Sequence, residues 1–257
     1  MGIFDGILLA TDMDGTLTDS EGRISEKNAE AIRYFQQNGG LFTVASGRPP
    51  RHFDKFTDIF VPNTFIISLN GAMIFDPKKR EAVLKYPLSQ QAIADALEIA
   101  GTYAKGSEIG IHFESFYLTA PAKEISEKTF TDAGENIYDI MFMQSREETE
   151  KLKALLPTLF SSGKFARGWG EGLEMFAYEA GKGNALMKVK SLSGSVFAVS
   201  AGNYDNDLEM IEKADLGVAV KNASSSLKAA ADTVTVSCDE NAIFKIIEEL
   251  EKRQRNR

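Results

Sequence analysis

The most constraining feature of this sequence is an apolar segment that ends at two acidic residues, Leu8-Leu9-Ala10-Thr11-Asp12-Met13-Asp14-Gly15-Thr16-Leu17-Thr18. A short buried strand that stops at acids places negative charge at the carboxyl edge of a sheet, where ligands bind in open α/β folds. Because Asp12 and Asp14 would repel each other, a positive group is expected between them. Mg²⁺ accepts oxygen ligands and keeps positions open for a phosphate. A plain Asp-Gly turn is the alternative interpretation.

Strands and helices alternate along the chain after this segment. Further strands are predicted at 41–45, 65–69 and 195–200, and helices at 25–37 and 51–60. Ser25 is a suitable N-cap for the first helix. This order predicts an α/β fold with a doubly wound, Rossmann-like parallel sheet. The first three strands end at Asp12, Ser46 and Asn70, which therefore meet at one sheet edge.

The alternation is interrupted in the middle of the chain. Hairpins mixed with helices indicate an α+β unit there, with a helix at 122–131, a strand at 137–143, and Ser145 and Glu148 as a capping box. The predicted domains are a core formed by 1–81 and 179–257 and an inserted domain at 82–178.

Composition limits the functional classes. A net charge of −8 over 257 residues, with no basic face, argues against a nucleic-acid partner. A single cysteine, Cys238, suits a reducing compartment, and no apolar run approaches the ~18 residues of a membrane helix. We expect a cytoplasmic protein without membrane partners, either a monomer or a weak homo-oligomer.

Two further polar segments follow the insertion. Lys182 opens a predicted helix, where its charge is unfavourable for the helix dipole and a purely structural role is less natural. The acidic turn Asn203-Tyr204-Asp205-Asn206-Asp207 follows the strand at 195–200. Parallel strand ends can bring both segments to Asp12.

Taken in order, the segments at Asp12, Ser46, Lys182 and Asn203 resemble the four motifs of the haloacid dehalogenase (HAD) superfamily. The position of the insertion, and the segment Gly-Val-Ala-Val-Lys-Asn-Ala at 217–223, resemble its Cof-type branch, in which the insertion is a mobile cap. The resemblance implies a phosphatase of small phosphorylated metabolites, sugar phosphates in particular.

By that resemblance Asp12 is the nucleophile that forms an aspartyl-phosphate, and Asp14 is the general acid and then the general base. Lys182 pairs with the nucleophile and the phosphate, while Ser46 and Asn206 hold phosphate oxygens. The implied cofactor is Mg²⁺, with ligands from Asp12, Asp14 (its backbone carbonyl), Asn203 and Asp207. Arg48 receives no chemical role, and His52 and His112 are expected to be surface or packing residues.

One position departs from the family pattern. The fourth motif usually opens Gly-Asp, whereas this chain has Gly202-Asn203. Asn offers a neutral oxygen, so we expect Mg²⁺ affinity to be weaker by about 10–100-fold, as for loss of an outer-shell ligand. Two alternatives stay open: phosphoryl transfer to another alcohol, as in a phosphomutase, and a regulatory protein that binds phosphorylated ligands but turns over poorly.

Overall fold

The structure, a computed structural model, describes residues 2–256 and divides into two compact units. The core unit contains the chain up to Leu84 and from Lys182 onward, and the inserted unit is Lys85–Gly181. The sequence placed the insertion at 82–178, three residues earlier at each end.

The elements follow in three groups along the chain. The first group is β1 (Ile7–Thr11), α1 (Glu26–Gln37), β2 (Leu41–Val44), β3 (Ile66–Ser68), β4 (Met73–Asp76) and β5 (Glu81–Lys85). The second is α2 (Gln90–Glu98), β6 (Glu108–Phe113), β7 (Tyr117–Pro121), α3 (Glu127–Thr131), β8 (Ile137–Met143), α4 (Arg146–Leu159), β9 (Gly163–Trp169) and β10 (Gly172–Ala177). The third is α5 (Lys182–Ser193), β11 (Phe197–Gly202), α6 (Leu208–Lys213), β12 (Leu216–Ala219), α7 (Ser225–Ala230), β13 (Thr233–Val234) and α8 (Ala242–Arg255). None of the described helices has the length and apolarity needed to cross a bilayer.

The core unit is built on a parallel sheet with the strand order β13-β12-β11-β1-β2. All five residues of β1 are buried, as expected for a strand with neighbours on both sides and helices on both faces. Thr11 lies opposite Val44 on β2 and Ala201 on β11. The polar segments that follow these three strands therefore leave the sheet at the same edge, and the predicted fold class is confirmed.

The sheet differs from the prediction beyond β2. Strand β3 touches β2 through one parallel bridge, between Ala45 and Ile67, and otherwise forms an antiparallel sheet with β4 and β5. Leu69, Asn70 and Gly71 all have positive φ, which reverses the chain directly after β3. The sequence reading gave no strands at 73–85, because this reversal depends on backbone geometry that the residue pattern does not show.

The predictions of helices and helix caps were only partly correct. The Ser25 hydroxyl accepts a hydrogen bond from the backbone N–H of Asn28, and Ser145 and Glu148 form the expected capping box on α4. The predicted helix at 51–60 is wrong: a 3₁₀ segment covers Pro50–Phe56. The predicted helix at 122–131 is also wrong in extent, since α3 begins only at Glu127 after a separate short turn.

The inserted unit has an antiparallel sheet with the order β7-β6-β8-β10-β9. Its helices pack with one face of this sheet in a hydrophobic cluster that includes Ile99 and Leu156 from the helical side and Ile111, Phe142 and Met175 from the sheet. Phe142 is therefore a core residue of this unit.

Candidate active site

The centre of the site is the buried side chain of Lys182, the first residue of α5. Its Nζ lies 2.7 Å from Oδ1 of Asp12 and 2.6 Å from Oδ1 of Asp207, and its side chain has no exposed surface. Burial disfavours the charge of Lys182, but the two carboxylates outweigh this effect and raise its pKa. Residues 170 positions apart in the chain thus form one ion-pair cluster.

Asp12 is positioned by the sheet. Its backbone N–H donates to the carbonyl of Ala201 on β11, so that it extends β1 by one residue. Burial and the charge of Asp207 raise the pKa of its carboxyl to about 7, although Lys182 acts in the opposite direction. A carboxylate with a raised pKa is a stronger base and nucleophile than an exposed one.

Asp14 lies two residues further on, where its carboxylate is held by Arg48. Both oxygens accept hydrogen bonds from the guanidinium, at 2.7 and 2.8 Å. Partial burial would raise the pKa of Asp14, but the contact with Arg48 prevails and lowers it. The carboxyl of Asp14 is therefore ionised at neutral pH.

The turn between Asp12 and Leu17 is closed by two asparagine amides. Asn203 donates from Nδ2 to the backbone carbonyl of Asp14 at 3.1 Å, and Asn222 donates to that of Gly15 at 2.8 Å. Gly15 has φ +73°, and a Cβ there would lie 2.6 Å from Nδ2 of Asn203. Only glycine allows this close approach.

Hydrogen bonds to Asn70 link Ser46 with Asn206. Asn206 donates to Oδ1 of Asn70 at 3.1 Å, and the backbone N–H of Asn70 donates to the carbonyl of Ser46. The Ser46 hydroxyl accepts from the N–H of Arg48. The backbone N–H of Ser46 donates to the carbonyl of Ile67, so of these two Ser46 groups only the hydroxyl can donate to a phosphate.

The donor chemistry fits a hard cation such as Mg²⁺ only in part. The oxygens of Asp12, of the Asp14 carbonyl and of the Asn203 amide are of the right kind. Both oxygens of Asp207, in contrast, are engaged by Lys182 and by the backbone N–H groups of Asn203 and Tyr204. Residues 2–256 contain no group of three His, Cys, Asp or Glu side chains placed to share a metal ion.

Arg48, Asn70 and Asn222 are site residues to which the sequence analysis gave no role. Asn70 had a signal, since it follows a predicted strand directly and precedes glycine. Asn222 lies in the Gly-Val-Ala-Val-Lys-Asn-Ala segment, which was noted only as typical of a family branch. Arg48 follows Ser46 by two residues, but nothing in the pattern shows that it reaches Asp14.

The chain is similar to known proteins along most of its length. A family described as haloacid dehalogenase-like hydrolase matches residues 9–247. The chain belongs to this haloacid dehalogenase-like hydrolase family. The expectation drawn from the four motif segments is thereby confirmed, and the chain is an enzyme of the phosphatase class.

Relatives in this family match nearly the whole chain. Phosphatase YwpJ of Bacillus subtilis is 28% identical, with 95% of this chain and 99% of that protein covered. The 5-amino-6-(5-phospho-D-ribitylamino)uracil phosphatase YwtE of the same organism is 30% identical, with coverage of 94% and 97%.

Solved structures of the family share the fold. A haloacid dehalogenase-like hydrolase from B. subtilis has a TM-score of 0.82 at 22% identity, with 95% of this chain and 99% of that chain covered. The HAD subclass IIB sugar phosphatase BT4131 has a TM-score of 0.78 at 23% identity, with coverage of 94% and 98%.

Proposed function

We propose that this enzyme hydrolyses small phosphorylated metabolites, with sugar phosphates as the main class, in a Mg²⁺-dependent reaction that passes through an aspartyl-phosphate, the acyl phosphate of Asp12. The observation that carries the proposal is the buried Lys182 between Asp12 and Asp207. Such a lysine favours the ionised form of a nucleophilic carboxylate and holds it in place, and it offers positive charge to a phosphate that approaches Asp12.

In the first step an oxygen of Asp12 attacks phosphorus, and the bond from phosphorus to the ester oxygen breaks. Asp14 gives a proton to the departing alcohol, so it must first take up a proton and separate from Arg48. In the second step Asp14 removes a proton from water. That water attacks phosphorus, the bond to Asp12 breaks, and inorganic phosphate leaves.

The remaining groups orient the phosphate. The hydroxyl of Ser46 and the amide of Asn206, linked through Asn70, are placed to donate to its oxygens. Positioning and charge stabilisation of this kind provide most of the rate enhancement in phosphoryl transfer.

Mg²⁺ would be held by the carboxylate of Asp12, the backbone carbonyl of Asp14 and the side-chain oxygen of Asn203. When bound, it supplies positive charge against the charge of the phosphate. The Asn203 amide must first turn, because its nitrogen donates to the Asp14 carbonyl. Asp207 accepts hydrogen bonds from Lys182 and from the backbone N–H groups of Asn203 and Tyr204. It thereby holds Lys182 and the backbone at Asn203 in place.

The substrate class draws support from the relatives. BT4131 is described as a sugar phosphatase, and YwtE acts on a phosphorylated ribityl compound by its name. Both descriptions involve a phosphate on a hydroxyl-rich carbon chain. We extend this class to the present enzyme.

The test is hydrolysis of 4-nitrophenyl phosphate, with Mg²⁺ and with a chelator, by the wild type and by Asp12→Asn. We expect kcat/KM to fall at least about 10³-fold in the variant, because the amide is not a nucleophile. Asp58→Asn, an exposed acid of the same unit, is the matched control and should keep full activity. Near-normal turnover by Asp12→Asn would refute the assignment.

A further inference from the structure

The side chain of Asn70 carries hydrogen-bond donors that the proposed reaction does not use. Asn70 lies in the core unit, two residues after the end of β3, and only 1% of its surface is exposed. Its backbone N–H donates to the carbonyl of Ser46, and its Oδ1 accepts from Nδ2 of Asn206 at 3.1 Å. Asn70 is therefore bonded to both residues that we propose to hold the phosphate.

The amide nitrogen of Asn70 is the unusual atom of this group. It is buried, and within residues 2–256 it has no hydrogen-bond partner. A carboxamide nitrogen carries two N–H donors and no acceptor. Buried donors without a partner lower the stability of a fold, so in native proteins they are normally completed by a ligand or by ordered water. The free donors of Asn70 therefore indicate a ligand with acceptor oxygens.

The backbone conformation of Asn70 does not account for its side chain. Its φ is +52° and its ψ is +32°, in the left-handed region. Glycine adopts this conformation most readily, and asparagine is among the few other residues that tolerate it. Glycine at position 70 would therefore serve the turn equally well, as Gly71 does at φ +85°. The buried amide needs a further explanation.

The neighbours of Asn70 supply further donors. The Ser46 hydroxyl accepts from the backbone N–H of Arg48, so that its own proton can be donated elsewhere. Asn206 uses one of its two amide protons on Asn70, and the other is not needed for that contact. A phosphate group combines negative charge with several acceptor oxygens, and it matches such a set of donors better than a single water molecule does.

We infer that Asn70 is a phosphate-binding residue, and that its Nδ2 donates to an oxygen of the phosphate held by Ser46 and Asn206. A hydrogen bond to a charged acceptor is about twice as strong as one between neutral groups, so this contact offsets the burial of the free donors. The inference rests on the proposed function, because the bound phosphate is the reacting group of that substrate and its inorganic product.

The experiment measures binding of inorganic phosphate by calorimetry, with Mg²⁺ present, for the wild type, Asn70→Gly and Asn70→Asp. Glycine keeps the left-handed backbone and removes the amide. Aspartate keeps the shape and the acceptor for Asn206, but it replaces the donors with oxygen. We expect phosphate to bind about 10–100-fold more weakly to Asn70→Gly and at least as weakly to Asn70→Asp. For both variants kcat/KM on 4-nitrophenyl phosphate should fall by a similar factor.

Asn241→Gly is the matched control. Asn241 belongs to the same unit, has φ +64°, and accepts a hydrogen bond on Oδ1 from the hydroxyl of Ser25. The substitution therefore removes an equivalent side chain from an equivalent backbone conformation outside the proposed phosphate site. Its affinity for phosphate and its activity should equal those of the wild type.

Three outcomes would overturn the inference. Wild-type affinity in Asn70→Gly would identify Asn70 as a turn residue. A loss in Asn70→Gly but not in Asn70→Asp would show that Asn70 acts only by orienting Asn206. Absence of phosphate binding by the wild type would remove the proposed ligand.

Thermal unfolding with and without phosphate separates a binding role from a structural one. Phosphate should raise the Tm of the wild type and of Asn241→Gly, because it binds only the folded protein, and it should raise the Tm of Asn70→Gly by less. An equal rise in all three proteins would contradict the inference. If phosphate binding depends on Asn70 but Asp12→Asn keeps wild-type turnover, the proposed function fails and this inference stands, so the two can fail separately.

Discussion

Both units of this enzyme bury carboxyl groups, and they do so in opposite ways. In the core unit Asp12 and Asp207 share the ammonium of Lys182, with distances of 2.7 and 2.6 Å. In the inserted unit Asp139 has Glu174 beside it, and no cation within residues 2–256 lowers its pKa. Two carboxylates share one ammonium in the first case, whereas the oxygens of Asp139 have no hydrogen-bond partner among the described residues.

The difference shows that the surroundings of a buried acid set its tendency to ionise. Lys182 opposes protonation of Asp12, although burial and the charge of Asp207 raise its pKa to about 7. Asp139 has no such cation among the described residues, and burial and the charge of Glu174 raise its pKa well above the usual value.

We expect the largest effect when Lys182, the cation shared by Asp12 and Asp207, is removed. In Lys182→Met two buried carboxylates lose the cation that they share, and we expect about 3–5 kcal/mol lower unfolding free energy and a loss of activity of at least about 10³-fold. Lys190→Met is the matched control on the same helix, because Lys190 pairs with the partly exposed Asp215. That control should change stability by less than about 1 kcal/mol. Denaturant titration and a phosphatase assay measure both, and equal effects of the two substitutions would contradict the comparison.

A second change adds a carboxylate to the core-unit site that contains Asp12, Lys182 and Asp207. Asn203→Asp should raise Mg²⁺ affinity by about 10–100-fold, measured by calorimetry rather than by turnover. Without Mg²⁺ the same variant should be less stable than the wild type, since a carboxylate replaces the N–H donor that now binds the Asp14 carbonyl. Equal Mg²⁺ affinities of variant and wild type would refute the expectation.

A third change tests how stability depends on pH through His112, the cross-strand neighbour of Asp139. Burial lowers the pKa of His112 from 6.5 to about 4, so the unfolded chain binds a proton between these values while the folded chain does not. The contribution of His112 to stability is complete above pH 6.5 and is lost as the pH falls towards 4. At pH 5 the loss is about 2 kcal/mol.

His112→Gln should remove this loss. The measurement is the unfolding free energy of the wild type and of the variant at pH 8 and at pH 5. The difference between the two proteins at each pH cancels the contribution of Asp139, whose pKa is raised rather than lowered. A pH-independent difference would show that His112 is solvated.

The sequence predicted the core unit well because its signals are local. The apolar run before Asp12 produces a strand buried on both faces, and the Ser25 cap forms as expected. The antiparallel strands β4 and β5 were missed, since they depend on three consecutive positive-φ residues after β3.

The site was predicted in part for the same reason. Residues that follow a strand directly, such as Asp12 and Asn203, could be placed at the sheet edge from their position, whereas their roles were implied by the family resemblance. The contact of Arg48 with Asp14 depends on a long side chain reaching between two turns, which no spacing encodes. Nor does the alternation in β8 show that Asp139 is fully buried, because apolar residues occupy both faces of that strand.

Lys182, which we propose as the catalytic lysine, is also the first residue after the insertion. A chimera could therefore exchange residues 85–181 for the corresponding segment of a relative without altering any member of the Asp12, Lys182 and Asp207 cluster. The junctions lie in the backbone at Leu84 and Gly181, and Gly181 adopts φ +121°, a conformation that glycine tolerates best. Such a chimera would replace the whole inserted unit and leave the residues of the proposed reactive centre as they are.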